Sequence, residues 1–390
     1  MLERMKGSRF FFFVLLALVS LVTPSGATWS IVVVNARTGE VGVASATCLA
    51  NFNLRRWTPV IVIGRGAASA QGIVDTTGAN RRLIRNGLRD GIRTDEILDM
   101  LGMSDPIHPS RVYGIVSIGH GSTSVLGTQS QNGRHALTGQ VGDYIYAIQG
   151  SGLTGAVVVL ATEAAFVQES GDMSQRMLAG LQAGKRFGGD GRCSCAPQAP
   201  TSCGAPPPGF LKSGHCGYVI VARHGDTTGS CGSNGCAQGD YYLTLNIQGP
   251  NAAVEAPDPV DQLQARYDVW RERQADRPDG VLSSVSTVGV LPANGHARRT
   301  VKIVLRDIDE RSLTTGGALV SVQPQAGSGS LVEVSAIRDH GGGSYSFKVT
   351  AGSKAGTERL VITVDDGLGV ATLYPYTEIT LSAPAAPFAR

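Results

Sequence analysis

The sequence predicts a mixed α+β domain with stacked layers over residues 28–248, followed by an all-β sandwich over residues 284–385. In the first region strands precede two central helices and more strands follow, an order that favours stacked sheets and helices over a βαβ repeat. In the second region short strands recur about every ten residues between Gly and Asp turns, which is typical of a β-sandwich. A leader at residues 1–27 and a linker at residues 249–283 complete the predicted organisation.

The composition is that of an ordinary globular protein. The chain has 390 residues, 42% of them hydrophobic and 17% charged, with 51 Gly and 18 Pro. Gly and Pro together stay below the roughly 25–30% of low-complexity chains and show no G-X-Y period, which excludes disordered and collagen-like classes. The net charge of +3 leaves no electrostatic footprint for nucleic-acid binding. We therefore expect no nucleic-acid partner.

The first 27 residues have the pattern of a secretory signal peptide. A basic start precedes a predominantly apolar run at residues 10–22, which is shorter than the ~20 residues needed to cross a bilayer. Small residues Ser25 and Ala27 then mark a cleavage site before Thr28. The alternative is an uncleaved membrane anchor. Cleavage predicts a secreted or periplasmic protein with no membrane span after processing.

The predicted first domain opens with a β-hairpin. Residues 29–34 and 40–47 are rich in Val, Ile and small residues, and they flank a loop at residues 35–39 with turn composition. Pairing that is symmetric about this loop places Thr28 opposite Thr47.

Helices and further strands follow in order. Residues 80–101 carry a helical apolar stripe, which Gly91 and Thr94 divide into two helices. Residues 155–168 and 172–186 predict two more helices. The remaining strands of this domain are predicted at residues 60–63, 112–118, 123–126, 144–148, 218–223 and 241–247.

The composition changes after residue 248. Several prolines introduce a charged helix at residues 261–274, and Pro278-Asp279-Gly280 ends it, so this segment is predicted to be a linker. The strands of the second domain are predicted at residues 299–306, 318–323, 331–335, 344–349 and 358–364.

Most of the cysteines cluster in a segment at residues 193–236, which is predicted to be a disulfide-rich insertion. In an exported protein such a cluster favours disulfides whose pairing the sequence leaves open. The disulfide candidates are Cys193, Cys195, Cys203, Cys216, Cys231 and Cys236. The alternative is a metal site built from Cys193, Cys195, Cys203 and either His215 or Cys216, although Cys193 and Cys195 are spaced more tightly than zinc sites prefer. We expect no metal and no cofactor, and we expect Cys48 to be a small buried hydrophobe.

Thr28 is the strongest candidate for chemistry. Cleavage after Ala27 would make it the first residue, at the head of the first strand. An N-terminal Thr brings its own general base, because its α-amino group titrates near 7.7–8.0. The alternative is that an exported protein begins with Thr by chance.

The hairpin around Thr28 resembles the opening of the family numbered 1028 among domains of unknown function, which is grouped with the N-terminal nucleophile hydrolases. The resemblance rests on residues 28–35 and 38–47, and it extends over roughly residues 28–248. Further matching positions are Ala70-Gln71-Gly72, Arg85-Asn86-Gly87-Leu88, Tyr144, Ala147, Gln149-Gly150, Leu153 and Gly188-Gly189-Asp190. It implies a four-layered αββα sandwich with the N-terminal Thr at the mouth of a cleft between two sheets. By analogy it also implies amide hydrolysis.

Carried over by position, the resemblance implies catalytic roles for several residues. Thr28 is the expected nucleophile and base, and Thr47 is expected to hydrogen-bond its amine, unless Thr47 is an ordinary strand residue. Gln149 and the amides near Gly150 are expected oxyanion donors, with Ser151 where relatives often have Asn. Position 48 is Cys48, where relatives commonly have a Lys, so a cation that would lower the pKa of the amine is absent there. The expected substrate-binding residues are Gln71, Asn80 and Arg81. For Asn80 and Arg81, a solvated helix start explains the pattern equally well.

The second domain resembles bacterial immunoglobulin-like modules of the invasin type. The matching segments are residues 301–307, 315–317, 343–347 and 361–367. The resemblance implies an immunoglobulin-like β-sandwich without a catalytic constellation, able to contact a surface or polymer.

These features predict an exported amidohydrolase that cleaves a small or cell-wall-derived amide through an acyl-ester on Thr28. The alternative is a non-catalytic binding or adhesion protein that keeps the fold as a scaffold. A third option is a disulfide-stapled structural component of the envelope.

Overall fold

The computed structural model describes residues 27–130 and 132–383. The predicted signal peptide lies outside the described residues except for Ala27. The first domain contains β1 (Thr28–Asn35), β2 (Val41–Thr47), β3 (Pro59–Val62), β4 (Gly66–Gly72), α1 (Ala79–Asp90), α2 (Thr94–Ser104), β5 (Arg111–Ser117), β6 (Gly121–Leu126), β7 (His135–Val141), β8 (Tyr144–Ser151), α3 (Val157–Gln168), α4 (Met173–Arg186), α5 (Gly191–Ser194), β9 (Cys216–Ala222) and β10 (Leu243–Ile247). The rest of the chain contains α6 (Pro259–Glu272), β11 (Ser284–Val285), β12 (Val290–Pro292), β13 (Arg298–Val304), β14 (Leu319–Pro324), β15 (Val332–Val334), β16 (Arg338–Asp339), β17 (Ser344–Ala351), β18 (Gly356–Asp365) and β19 (Val370–Ser382).

The opening hairpin has the predicted register, with Thr28 opposite Thr47. Its turn is set by Asn35, whose side-chain oxygen accepts hydrogen bonds from the backbone N–H groups of Arg37 and Thr38 at 3.0 and 3.1 Å. Gly39 completes the turn with a φ of +71°, a conformation that glycine adopts without steric cost.

Two sheets face each other in the first domain. One has the strand order β10-β9-β2-β1-β8-β7 and the other the order β3-β4-β5-β6. Helices α3 and α4 pack on the outer face of the first sheet, and α1 and α2 pack on the outer face of the second. Alternation along β1 explains this stacking: Trp29 and Ile31 point to α4, whereas Thr28 and Ser30 point between the sheets.

The mixed α+β first region and the β-rich second region are confirmed. In the second region one sheet has the order β11-β13-β17-β15, with β16 also paired to β17, and the other has the order β12-β19-β18-β14. Buried side chains of both sheets, such as Val301, Phe347 and Leu360, form its core.

The segment predicted to be a linker packs against the first domain. Val260 and Leu263 of α6 are fully buried in the core of the first sheet, and α6 contacts β9, β10 and α4. The apolar face of this helix is therefore covered, although five of its 14 residues are charged.

The cysteine pairing differs from the expectation at two positions. Cys48 is not an isolated hydrophobe but forms a disulfide with Cys193, 145 residues away. The other pairs are Cys195–Cys203 and Cys231–Cys236. Cys216, predicted to be a disulfide candidate, is the free cysteine of the described chain and is buried on β9. Burial raises the pKa of its thiol to about 12.

Candidate active site

Three hydroxyl side chains form a row at one end of the first sheet. Thr28 begins β1, and the register places Thr47 of β2 on one side of it and Ser151 of β8 on the other. The Thr28 hydroxyl lies 3.1 Å from Oγ1 of Thr47. The hairpin and the pairing of β1 with β8 therefore bring together three of the predicted catalytic residues.

The carbonyl oxygen of Ala27 lies inside this group. Residue 27 is still joined to Thr28, whose hydroxyl donates to that oxygen at 2.6 Å. The Thr47 hydroxyl and Nη2 of Arg192 also donate to it, the latter at 2.9 Å. Ala27 is fully buried and Thr28 is 2% exposed. A protease that cuts between them must therefore act before this part of the chain folds.

Asp190 and Arg192 place a charge pair beside Thr28 and Thr47. Asp190 caps α5 and pairs with Arg192 at 2.7 Å. Its Oδ2 also accepts a hydrogen bond from the backbone N–H of Cys48 at 2.7 Å. Nη2 of Arg192 lies 3.2 Å from Oγ1 of Thr47.

The sequence alone did not predict Asp190 and Arg192 as site residues. Asp190 had a signal, because it ends the Gly188-Gly189-Asp190 segment that matches the family. Arg192 had none, because only the folded chain brings α5 next to the hairpin.

The Cys48–Cys193 disulfide joins the two segments that hold this charge pair. Cys48 follows Thr47 directly, and Cys193 follows Arg192. The disulfide therefore ties the end of β2 to α5 within one residue of two candidate site side chains.

Gln71 reaches Thr28 from the second sheet. Its Nε2 donates to the backbone oxygen of Thr28 at 2.8 Å, and its Oε1 accepts from Ser69 at 3.0 Å and from Ser30. Ser30 in turn lies 2.8 Å from Ser45. A buried polar layer between the two sheets therefore supports the backbone of the candidate nucleophile.

Gln149 lies two residue pairs further along β8 than Ser151. It is opposite Ser30 in the register and fully buried. Neither its Nε2 nor its Oε1 has a hydrogen-bond partner among the described residues. Gly114 faces it from the second sheet, and a Cβ at that glycine would lie 2.0 Å from Oε1 of Gln149. The glycine thus provides the space that the amide occupies.

The described hydrogen bonds of Asn80 and Arg81 run to residues other than Thr28. Nδ2 of Asn80 donates to Asp105 at 2.6 Å and to the hydroxyl of Tyr113 at 2.8 Å. Arg81 donates to the backbone oxygen of Trp57 at 2.6 Å. Both residues lie on α1, and their described hydrogen bonds hold that helix to its neighbours. Burial lowers the pKa of Arg81.

One group of potential metal ligands lies near the site. The donor atoms of Cys48, Cys193 and His215 are within 4.8 Å of one another. The two sulfurs are bonded to each other, so they are not thiolate ligands in this state. Burial and the charge of Lys212 lower the pKa of His215.

Two family models match the chain. Residues 28–198 match the model described as "Family of unknown function (DUF1028)", and residues 281–376 match "Invasin, domain 3". No curated protein is significantly similar to the chain.

Several solved structures are similar to parts of the chain. Protein SPO2555 from Silicibacter pomeroyi, described as a DUF1028 protein, is 19% identical over 62% of this chain and 88% of its own, with a TM-score of 0.45. The Yersinia pseudotuberculosis adhesin InvE is 24% identical over 26% of each chain, with a TM-score of 0.22. The S-layer protein SbsC, domains 5–6, is 19% identical over 27% of this chain and 45% of its own, with a TM-score of 0.20.

Disulfides and an invasin-like domain are typical of extracytoplasmic bacterial proteins, and such a domain is typical of surface or adhesive contacts. No helix in the described residues is long and apolar enough to cross a membrane. The two family matches show that the chain carries an N-terminal domain of the DUF1028 family of unknown function and a C-terminal immunoglobulin-like domain of the invasin domain 3 family.

Proposed function

We propose that residues 28–248 form an amidohydrolase of the N-terminal nucleophile class, exported to the periplasm or the medium. The observation that carries the proposal is the position of the Thr28 hydroxyl. It heads a central strand of two facing sheets, beside Thr47 and the Asp190–Arg192 pair. The arrangement of helices, sheet, sheet and helices supports the assignment to this class.

The reaction begins when residues 1–27 are removed and Thr28 gains a free amine. The Thr28 hydroxyl adds to the carbonyl carbon of the amide while the amine takes its proton. The carbon–nitrogen bond then breaks, the leaving amine receives that proton, and the acyl group remains on Oγ1 as an ester. Water, activated by the same amine, hydrolyses the ester and releases a carboxylic acid.

Arg192 supplies the cation that position 48 lacks. A positive charge next to an amine favours its neutral form, which is the form that acts as a base. Nη2 of Arg192 contacts the carbonyl oxygen of residue 27 at 2.9 Å, so it lies close to the amine that cleavage would create. Asp190 fixes the guanidinium in place.

Gln149 and Ser151 are the proposed oxyanion donors, together with the amide of Gly150. The unpaired amide of Gln149 supports this role, because a fully buried amide without a partner is costly unless it serves another purpose. Gln71 acts as a positioning residue through the backbone of Thr28.

The substrate that fits this site is small or extended, such as a small amide or a fragment derived from cell-wall material. Thr28 is 2% exposed with residue 27 attached, so a bulky folded substrate would not reach it. No metal or cofactor is needed for the proposed steps.

A second candidate is a non-catalytic binding or adhesion protein that uses the same fold as a scaffold. The match to an invasin domain favours it, and so does the near-complete burial of Thr28.

Labelling with an acylating β-lactone probe separates the two candidates. The hydrolase predicts a single adduct on Thr28 of the mature protein, lost in Thr28→Ala and retained in Thr28→Ser. Thr138 is an exposed hydroxyl residue on β7 of the same sheet, so Thr138→Ala is the matched control and should label normally. Failure of Thr28 to react, or labelling that survives Thr28→Ala, would favour the scaffold.

A further inference from the structure

A cleft of about 1130 Å³ opens where the two domains meet. We call it the seam cleft. Its walls are the β1–β2 turn, the β3–β4 turn, residues 281–290 and part of β19. Thr28 lies at the opposite end of β1, and the eight residues of that strand span roughly 26 Å at about 3.3 Å per residue. The seam cleft is therefore separate from the candidate active site.

His224 fixes the two turns and the second domain relative to one another. Its ring stacks on Tyr374 with centroids 4.0 Å apart and an angle of 14°. A Cβ at Gly39 or at Gly64 would lie 2.4 Å from an atom of this ring, and both glycines have positive φ. Only glycine therefore lets both turns close around the histidine.

A buried ion network beneath the cleft holds the domains together. Arg223 of the first domain pairs with Glu40 at 2.7 Å and with Asp279 at 2.8 Å, and its guanidinium lies 3.4 Å from the ring centroid of Tyr242. Breaking such a buried pair leaves an uncompensated charge. The walls of the seam cleft are therefore preformed, as in most ligand sites.

The lining of the cleft carries arginines at its edges. The side chains of Arg37 and Arg359 are 68% and 57% exposed, and they pair with exposed Asp143 and Glu378. Exposed pairs of this kind are weak, so a ligand carboxylate can replace the protein carboxylate. Arg65 is also exposed, and within the described ranges it forms no ion pair.

Hydroxyl groups and rings occupy the space between these cations. The Ser and Thr residues of the lining are Ser283, Ser284, Ser286, Thr287, Thr377 and Thr380. The ring of Tyr376 lies at an edge-on angle of 75° to Tyr374 and is half-buried. Hydroxyl groups and an aromatic face are the usual partners of a sugar ring, and the arginine forks match carboxylates.

Two smaller cavities adjoin the seam cleft. A cavity of about 450 Å³ shares Gln325 and Arg359 with it, and one of about 610 Å³ shares Arg37. The seam cleft alone exceeds the roughly 300–1,000 Å³ of sites for one small molecule. A cleft of this size has room for several units of a linear polymer.

We propose that the seam cleft binds an acidic polysaccharide, with carboxylates on Arg37, Arg65 and Arg359 and a sugar ring against Tyr376. Its carboxylates are spaced by neutral sugar units, which matches arginines separated by hydroxyl groups and a tyrosine. Nucleic acid fits less well, because Glu378 faces its continuous phosphate charge and the whole chain has a net charge of only +3.

The test measures the affinity of the purified exported protein for hyaluronan, in which every second sugar carries a carboxylate, with neutral dextran as the comparison. We expect at least tenfold tighter binding to hyaluronan, weakening as salt rises. Arg65→Gln and Tyr376→Ala should each weaken it at least fivefold, while Arg338→Gln, an exposed arginine outside the cleft, should change it less than twofold. Glu378→Gln should strengthen binding about two- to fivefold, because it removes a competing carboxylate from Arg359.

Thermal unfolding of each variant shows whether the fold is intact, and Arg65→Gln decides the matter if Tyr376→Ala does not fold. Equal affinity for dextran, or no effect of Arg65→Gln and Glu378→Gln, would overturn the proposal. Equal affinity for single-stranded DNA would also overturn it and would identify a general polyanion site.

Discussion

Arg192 and Ala27 are 165 residues apart in the chain, yet Nη2 of Arg192 donates to the carbonyl oxygen of Ala27 at 2.9 Å. The contact places a cation at the peptide bond whose cleavage would create the nucleophile. In the proposed mechanism Arg192, from α5, supplies the positive charge that the family resemblance implies at position 48, where this chain has Cys48.

Replacing Arg192 should change the pH dependence of activity. In Arg192→Gln the amine of Thr28 loses its neighbouring cation, so we expect the acid limb of the pH–rate profile to move to higher pH. At pH 7 the rate should fall about 10- to 100-fold and recover partly as pH rises. Arg192→Lys should retain most of the activity. Arg186→Gln, at an exposed position at the end of α4, is the control and should leave the pH–rate profile unchanged. An unchanged profile in Arg192→Gln would contradict the role of Arg192.

A disulfide that closes a longer loop should stabilise the protein more than one that closes a short loop. Cys48 and Cys193 are 145 residues apart, whereas Cys231 and Cys236 are five apart. Since longer loops lose more entropy in the unfolded chain, removing the first pair with two serines should lower the free energy of unfolding by about 2–4 kcal/mol. Replacing Cys231 and Cys236 with two serines should lower the free energy of unfolding by a smaller amount. Denaturant unfolding of both variants measures the difference, and a larger effect at the short loop would refute the expectation.

Gln149 should be destabilising in the folded protein. Its amide is fully buried without a described partner, so Gln149→Met should raise the free energy of unfolding by about 1–3 kcal/mol. The same variant should lose activity if the amide serves as an oxyanion donor. Gln140→Met, at an exposed position on β7, should do neither. A less stable Gln149→Met variant would mean that a buried water satisfies the amide and that its role is structural.

Asp226 should make the stability of the domain depend on pH. Burial raises the pKa of its carboxyl to about 6 despite hydrogen bonds from the N–H groups of Arg223 and Tyr242, both at 2.8 Å. Because the unfolded value is lower, the folded state binds more protons between the two pKa values, and this contribution is lost as pH rises through 6. The free energy of unfolding of Asp226→Asn, relative to that of the wild type, should therefore be higher at pH 8 than at pH 4 by up to about 3 kcal/mol. Melting temperatures at the two pH values measure this, and an equal effect at both would contradict it.

The elements whose signals are local were predictable from the sequence. The β1–β2 register followed from a short turn between two β-branched runs, and it already placed Thr47 beside Thr28. The division between α1 and α2 followed from Gly91, whose φ of +75° ends the first helix.

The missed elements have misleading local signals. Strand β4 consists of Gly, Ala, Ser and Gln, without a β-branched residue, and its place in the sheet comes from its pairing with β3 on one side and β5 on the other. Strand β19 contains Pro375, which is tolerated because the pairing with β18 shifts register between Leu360 and Ile362.

The candidate site was predictable only where it lies on the hairpin or in a matching segment. Arg192 and the Cys48–Cys193 pair join segments distant in sequence, so no spacing could reveal them. Asn80 and Arg81 matched a plausible helix start, but α1 packs on the outer side of the second sheet and uses them to hold its neighbours.

The most direct test of the central claim is the N-terminal residue of the exported protein, determined by intact mass and N-terminal sequencing. We expect the mature chain to begin at residue 28 both in the wild type, where this residue is Thr28, and in the Thr28→Ala variant. A chain that begins at any other residue would leave Thr28 without a free amine and would contradict the proposed mechanism.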